Sequence, residues 1–133
     1  MESADFWIDD TEFLRLMNVE RFSDGSGYCG EISVRTGDFA CQRRRFYFDE
    51  LPRFVEQLRT VHETLSGHTE LRQRYEPEFV HFEYDPRGHV HVTGFLTDYR
   101  ECSLRFELEA DQTYIPGFIA GLERIVQELH STP

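Results

Sequence analysis

Five residues between Glu78 and Leu96 carry side chains that could do chemistry together: His81, Glu83, Asp85, His89 and His91. Neutral imidazoles and carboxylates one strand apart can converge on a divalent transition metal. Carboxylates on such a face can equally meet the Lys and Arg of a protein partner. Whether the five share a surface depends on the loop Asp85-Pro86-Arg87-Gly88. Pro suits the second position of a type I turn, and Gly the positive-φ position after it. A type I turn followed by a Gly bulge pairs Asp85 with His89, Glu83 with His91 and His81 with Thr93, and leaves Val80, Phe82, Tyr84, Val90 and Val92 opposite. A plain two-residue loop sets Phe82 across from His91 and mixes the two sets, so the bulged hairpin is expected. The plainer account of the polar face is a solvated surface whose acid and imidazole pairs stabilise only modestly, since His-x-His alone is a weak signal.

Other chemistry is not indicated. The sequence has no Gly-rich phosphate loop, no His-Glu-x-x-His and no Gly-x-Ser-x-Gly. Cys29, Cys41 and Cys102 are odd in number, widely spaced and without a Cys-x-x-Cys, as expected of reduced, mostly buried thiols. Arg43-Arg44-Arg45 could grip phosphate, but on a strand the three side chains alternate faces and pair more naturally with neighbouring carboxylates. We therefore assign no catalytic residue, no cofactor and no metal from sequence.

Charge narrows the partners. With 25 acidic and 14 basic residues the formal charge is −11, spread along the chain. That field repels nucleic acid and anionic membrane and favours cationic partners, although solubility alone could account for it. The absence of a signal segment at Met1 to Asp10, and of any apolar run near the roughly 18 residues a membrane helix needs, predicts a cytoplasmic protein.

The elements that must position these residues are read from periodicity. Phe6-Trp7-Ile8 predicts an edge strand anchored by Trp7, Glu12 to Phe22 a bent or bulged strand, and Asp24-Gly25-Ser26-Gly27 a tight turn. Tyr28 to Thr36 alternates cleanly, whereas in Phe39 to Phe48 strict alternation gives neither face a purely apolar character. A helix is predicted over Glu50 to Leu65, capped by Asp49, with Leu51, Phe54, Val55, Leu58, Val61, His62 and Leu65 on one stripe, His62 at its edge as a packing residue. His68 to Pro77 reads as a connector in which Leu71 and Tyr75 touch the core. The hairpin follows, then a strand over Tyr99 to Glu109 with Glu101, Glu107 and Glu109 outward. A second helix is predicted from Tyr114 to Leu129, with Thr113 as its cap and Ile115, Phe118, Ile119, Leu122, Ile125, Val126 and Leu129 in one stripe.

Arg45-Phe46-Tyr47-Phe48 with its following helix is nearly repeated by Leu104 to Leu108 with the helix after it, a strand-then-helix duplication. A length of 133 residues suits one core. The expectation is a single α+β domain over residues 1–133: an antiparallel sheet of about six or seven strands with two amphipathic helices on one face, a strand-strand-helix unit recurring in it, and Phe54 and Phe118 at related core positions.

The strand-rich opening with Trp7, the segment Phe48-Asp49-Glu50-Leu51-Pro52-Arg53-Phe54 with Leu58, the meander from Phe79 to Glu109 around Asp85-Pro86-Arg87-Gly88, and the close Thr113-Tyr114-Ile115-Pro116-Gly117-Phe118 with Leu122 resemble the WapI-type bacterial immunity proteins. The resemblance spans about Trp7 to Leu129 and rests on structural punctuation. It implies a non-enzymatic cytoplasmic protein that binds and neutralises the toxin domain of a contact-dependent or polymorphic toxin, often a basic nuclease. Glu83 and Asp85 on the hairpin, with Asp24 and Asp98 in loops, are the candidate contacts to toxin Lys and Arg. The alternative is a small ligand- or metal-binding domain using His81, Glu83, His89 and His91, acting as a monomer or a homodimer.

Overall fold

Alternating apolar residues make the strands, and two runs at three-and-four spacing make the helices. The computed structural model describes residues 2–97 and 103–131. Its order is β1 (Ser3–Asp9), β2 (Glu12–Arg21), β3 (Tyr28–Thr36), β4 (Phe39–Phe48), α1 (Leu51–Thr64), β5 (His68–Arg72), β6 (Phe79–Tyr84), β7 (His89–Thr97), β8 (Ser103–Asp111), a short 3-10 turn (Gln112–Tyr114) and α2 (Ile115–His130). No helix among the described residues is long and apolar enough to cross a membrane.

The α+β class is as expected, but the single sheet of six or seven strands is corrected to two antiparallel sheets of four, β1-β2-β3-β4 and β5-β6-β7-β8. The helix α1 interrupts the chain between β4 and β5, so each half closes its own meander. The added strand is β5, where a connector was expected. Only Thr69 and Leu71 face inward, and that weak alternation suffices because β5 pairs along β6 from His68 opposite Glu83 to Arg72 opposite Phe79. Tyr75 does not touch the core; it is 96% exposed, in a left-handed conformation with φ 62°.

The duplication is therefore four strands and a helix, twice, with the helices exchanged between the sheets. α1 leaves the first half to pack on β5 and β6, while α2 returns from the second half to pack on β1 and β2. Each helix ends on a histidine bonded to a tyrosine of the sheet it serves. His62 Nδ1 lies 2.6 Å from the Tyr84 hydroxyl and His130 Nε2 lies 2.8 Å from the Tyr28 hydroxyl. Burial pushes the Tyr84 phenol up to about 12 and raises that of Tyr28. The helices also touch each other, through Arg59 and Glu123 at 2.5 Å.

The inner faces share one aromatic core centred on Phe82. Its ring meets Phe54 of α1 at 5.8 Å, Phe118 of α2 at 5.4 Å and Phe6 of β1 at 6.5 Å between centroids. Phe54 and Phe118 thus occupy related positions, each followed by a buried Val55 or Ile119. Phe6, and not Trp7, anchors the N-terminal strand, because Trp7 points outward and stacks on Phe13 at 4.5 Å.

A second tie between the sheets is polar. Glu78 is fully buried and accepts from Arg43 Nε at 2.8 Å, from Gln73 Nε2 at 3.3 Å and from the Thr97 backbone N–H at 3.0 Å. Arg43 reaches it because β4 carries a bulge: Gly30 pairs with Phe46 but Ile32 pairs with Arg43. The extra residue puts Cys41 and Arg43 on the same side as Phe46 and Phe48, which strict alternation had separated. β2 is bulged between Met17 and Glu20, with Asn18 at φ 52°. Neither expected cap forms. Asp49 takes the Arg74 Nε at 2.6 Å, and Asp111 caps the 3-10 turn by accepting from the Thr113 N–H at 2.9 Å.

Two predictions follow from this packing. Phe54→Ala and Phe118→Ala should each cost about 3–5 kcal/mol in urea unfolding, and because both rings rest on Phe82 the double variant should depart from their sum by about 0.5–3 kcal/mol. Gly121, where α2 crosses β1, has room for no side chain: a Cβ there would lie 2.7 Å from Ala4 Cα and 2.8 Å from the Ser3 carbonyl oxygen. Gly121→Ala should cost about 1–3 kcal/mol, whereas Gly117→Ala, which meets nothing within 4 Å, should raise stability by about 0.5–1 kcal/mol.

Candidate functional site

With the apolar side chains turned inward, the outer face of the second sheet is a ladder of charged rows. His68, Glu83, His91 and Glu109 form one row; Glu70, His81, Thr93 and Glu107 form the next. At the turn end, His89 pairs with Asp111 and accepts the Asp85 N–H at its carbonyl, 2.9 Å away. At the other end, Arg72 and Arg105 cover the rings of Phe79 and Phe95 at 5.4 and 4.7 Å, a cation–π row that closes the patch. Six carboxylates (Glu70, Glu83, Asp85, Glu107, Glu109 and Asp111) thus share a face with the guanidinium groups of Arg72, Arg105 and, in the turn, Arg87.

The bulged hairpin has the register that the apolar pattern demands. Gly88 sits at φ 84° and donates to the Asp85 carbonyl at 2.9 Å, Glu83 pairs with His91, and His81 pairs with Thr93. Asp85 is the centre of the turn. Its Oδ1 accepts from the Arg87 and His89 N–H groups at 2.8 and 3.1 Å, and its Oδ2 lies 2.9 Å from His91 Nε2. The bond from His91, then those backbone donors, hold its carboxyl well below the usual range. The same bond, aided by Glu107 at 3.4 Å from Nδ1 and by the charge of Glu109, raises the proton affinity of His91.

The four candidate contacts are therefore not equivalent. Glu83 is 58% exposed and lies 3.5 Å from His81, whereas Asp85 is 17% exposed and committed to its own turn. Asp24 lies in the β2–β3 turn of the first sheet, where it accepts from the Ser26 N–H at 2.9 Å; the Ser26 hydroxyl, then that backbone bond, lower its pKa, with a smaller part from the charge of Arg74. Asp98 lies outside the described residues. Of the five hairpin residues, the structure brings Asp85, His89 and His91 together and adds Glu109 from β8, while His81 stacks on His68 at 5.2 Å. Glu107 and Glu109 were legible as outward residues, but only the β7–β8 ladder shows that they stand beside His91.

The opposite face of the molecule differs in character. On the first sheet Asp5 and Arg15 pair at 2.7 Å, and Arg15 lies over Trp7 at 5.4 Å, so charge there is balanced and mixed with aromatics.

The raised His91 value fixes a sign for pH dependence. Its imidazolium contributes stability that is fully present below the ordinary histidine pKa of 6.5 and is lost as pH rises through the higher folded value. Asp85 contributes above its ordinary 3.8 and loses that contribution as pH falls through its depressed folded value. Proton NMR of the His91 ring should give a midpoint above 6.5, and Asp85→Asn should move that midpoint down.

Comparison with known proteins agrees with the fold and supplies a family. The Trypanosoma brucei MRP1/MRP2 crystal structure has a similar fold, with a TM-score of 0.54 at 14% identity over 95% of this chain and 83% of that one. No curated protein matches the chain by sequence. The model of the immunity protein WapI-like family matches residues 4–130, nearly the whole length, and the chain therefore belongs to the WapI-like immunity protein family.

Proposed function

We propose that this protein is a non-enzymatic, cytoplasmic immunity protein that neutralises a cognate toxin by binding it through the outer face of the second sheet. The observation that carries the choice of surface is the collection of six carboxylates against three guanidinium groups on one rigid face. Such a field raises the encounter rate with a cationic domain, a basic nuclease being the fitting class, and disfavours nucleic acid itself. The antiparallel ladder fixes the rows in place, so little side-chain-bearing backbone has to be ordered on binding. Glu83 and Glu107, 58% and 64% exposed, are the carboxylates best presented to toxin Lys and Arg, whereas reversing Asp85 would also dismantle the turn.

Glu83→Lys with Glu107→Lys should leave the unfolding transition cooperative and slow association with the cognate toxin by about tenfold or more at low salt. The difference from the wild-type protein should shrink as ionic strength rises toward about 1 M, where the Debye length falls to about 3 Å. Stopped-flow association rates and survival of toxin-expressing cells measure both effects. An unchanged association rate together with full protection would place the interface elsewhere.

A further inference from the structure

We propose that the turn end of the second sheet binds one divalent transition-metal ion, with Zn²⁺ the best match, through Asp85, His91 and Glu109, with His89 as fourth ligand. Asp85 Oδ2, His91 Nε2 and one Glu109 carboxylate oxygen can be brought to a common centre, since one ligand atom from each lies within 4.8 Å of the other two. His91 Nε2 is 2.9 Å from Asp85 Oδ2 and 3.8 Å from Glu109 Oε1. His89 Nδ1 is 3.4 Å from Glu109 Oε1 and 3.9 Å from Asp85 Oδ2. Tetrahedral zinc, with ligands at about 2.0–2.2 Å, sets neighbouring ligand atoms roughly 3.3–3.6 Å apart. Asp85, His91 and Glu109 already converge, and the His89 ring must turn toward them to complete the shell.

Two independent features point to a ligand. His89 Nδ1, shielded although its side chain is 41% exposed, has no hydrogen-bond partner among the described residues, yet it faces two carboxylates. His91 is oriented from behind: while Nε2 faces the cluster, Nδ1 stands 3.4 Å from Glu107 Oε1, the carboxylate–histidine arrangement that fixes the ring of a metal ligand. Two imidazoles and two carboxylates suit zinc and its neighbours and disfavour Mg²⁺ and Ca²⁺, which prefer all-oxygen shells. The two carboxylate charges balance the ion. Arg87, at 3.5 Å from Asp85 Oδ2, is 73% exposed and free to swing away.

This site needs no toxin, so it is tested on the purified, tag-free protein alone. After stripping with chelator, calorimetric titration with Zn²⁺ should show one ion per chain, and Co²⁺ should give the intense visible absorption of a tetrahedral site. His91→Ala and Glu109→Gln should each abolish stoichiometric binding. Glu107→Gln should weaken it about 10–100-fold, and His68→Ala and His81→Ala should leave it intact. His89→Ala, at the exposed turn end, guards against a folding artefact: it should keep the unfolding midpoint while lowering the affinity and altering the Co²⁺ spectrum. Absence of one-to-one binding, or binding lost with His68 and His81 but kept without His91, would overturn the assignment.

Discussion

Everything in this molecule converges on the Phe82 ring, which must be covered from three directions at once. β1 supplies Phe6, α1 supplies Phe54 and α2 supplies Phe118. Because the helices are exchanged, the ring in the second sheet is covered in part by the first half of the chain, and the first sheet waits for the last helix to arrive. Neither half can therefore bury its own apolar face, and the two should form one cooperative unit. The His62–Tyr84 and His130–Tyr28 bonds repeat the exchange in polar form, one at the end of each helix.

Apolar contact is non-directional, so it would tolerate the two sheets sliding over each other. The Glu78 network supplies direction. A fully buried carboxylate must find donors, and it finds them on β4 through Arg43, in the β5–β6 connection through Gln73 and on β7 through the Thr97 backbone. A buried ion pair of this kind adds little net stability over an apolar pair, but removing one partner is costly, which makes it a device for register more than for strength.

With the inner faces consumed by packing, the outer faces are left to interact with other molecules, and they differ. The first carries balanced charge around Trp7 and Phe13, and the second carries the acid and imidazole ladder. Antiparallel pairing brings side chains from four strands into rows, so residues separated by more than twenty positions, such as Glu83 and Glu109, belong to one surface. Placing that surface on strands leaves it ordered before anything binds.

The sequence by itself determined what depends on local pattern. The hairpin register was legible because only the bulged loop separates Val80, Phe82 and Tyr84 from His81, Glu83 and Asp85. Both helix stripes, and the equivalence of Phe54 and Phe118, were legible from spacing. Tertiary structure decided the rest. The bulge that turns Arg43 inward is invisible to strict alternation, and β5 forms because an edge of β6 is available and not because its residues favour a strand. Asp49 lost its capping role to Arg74, a partner 25 residues away. Glu78 reads as a polar residue beside a proline, and only the meeting of two sheets makes it the buried link between them. Likewise Glu109 could be placed outward by alternation, but its position beside Asp85, His89 and His91 exists only once β7 and β8 pair, because proximity between strands is a property of the ladder and not of either strand.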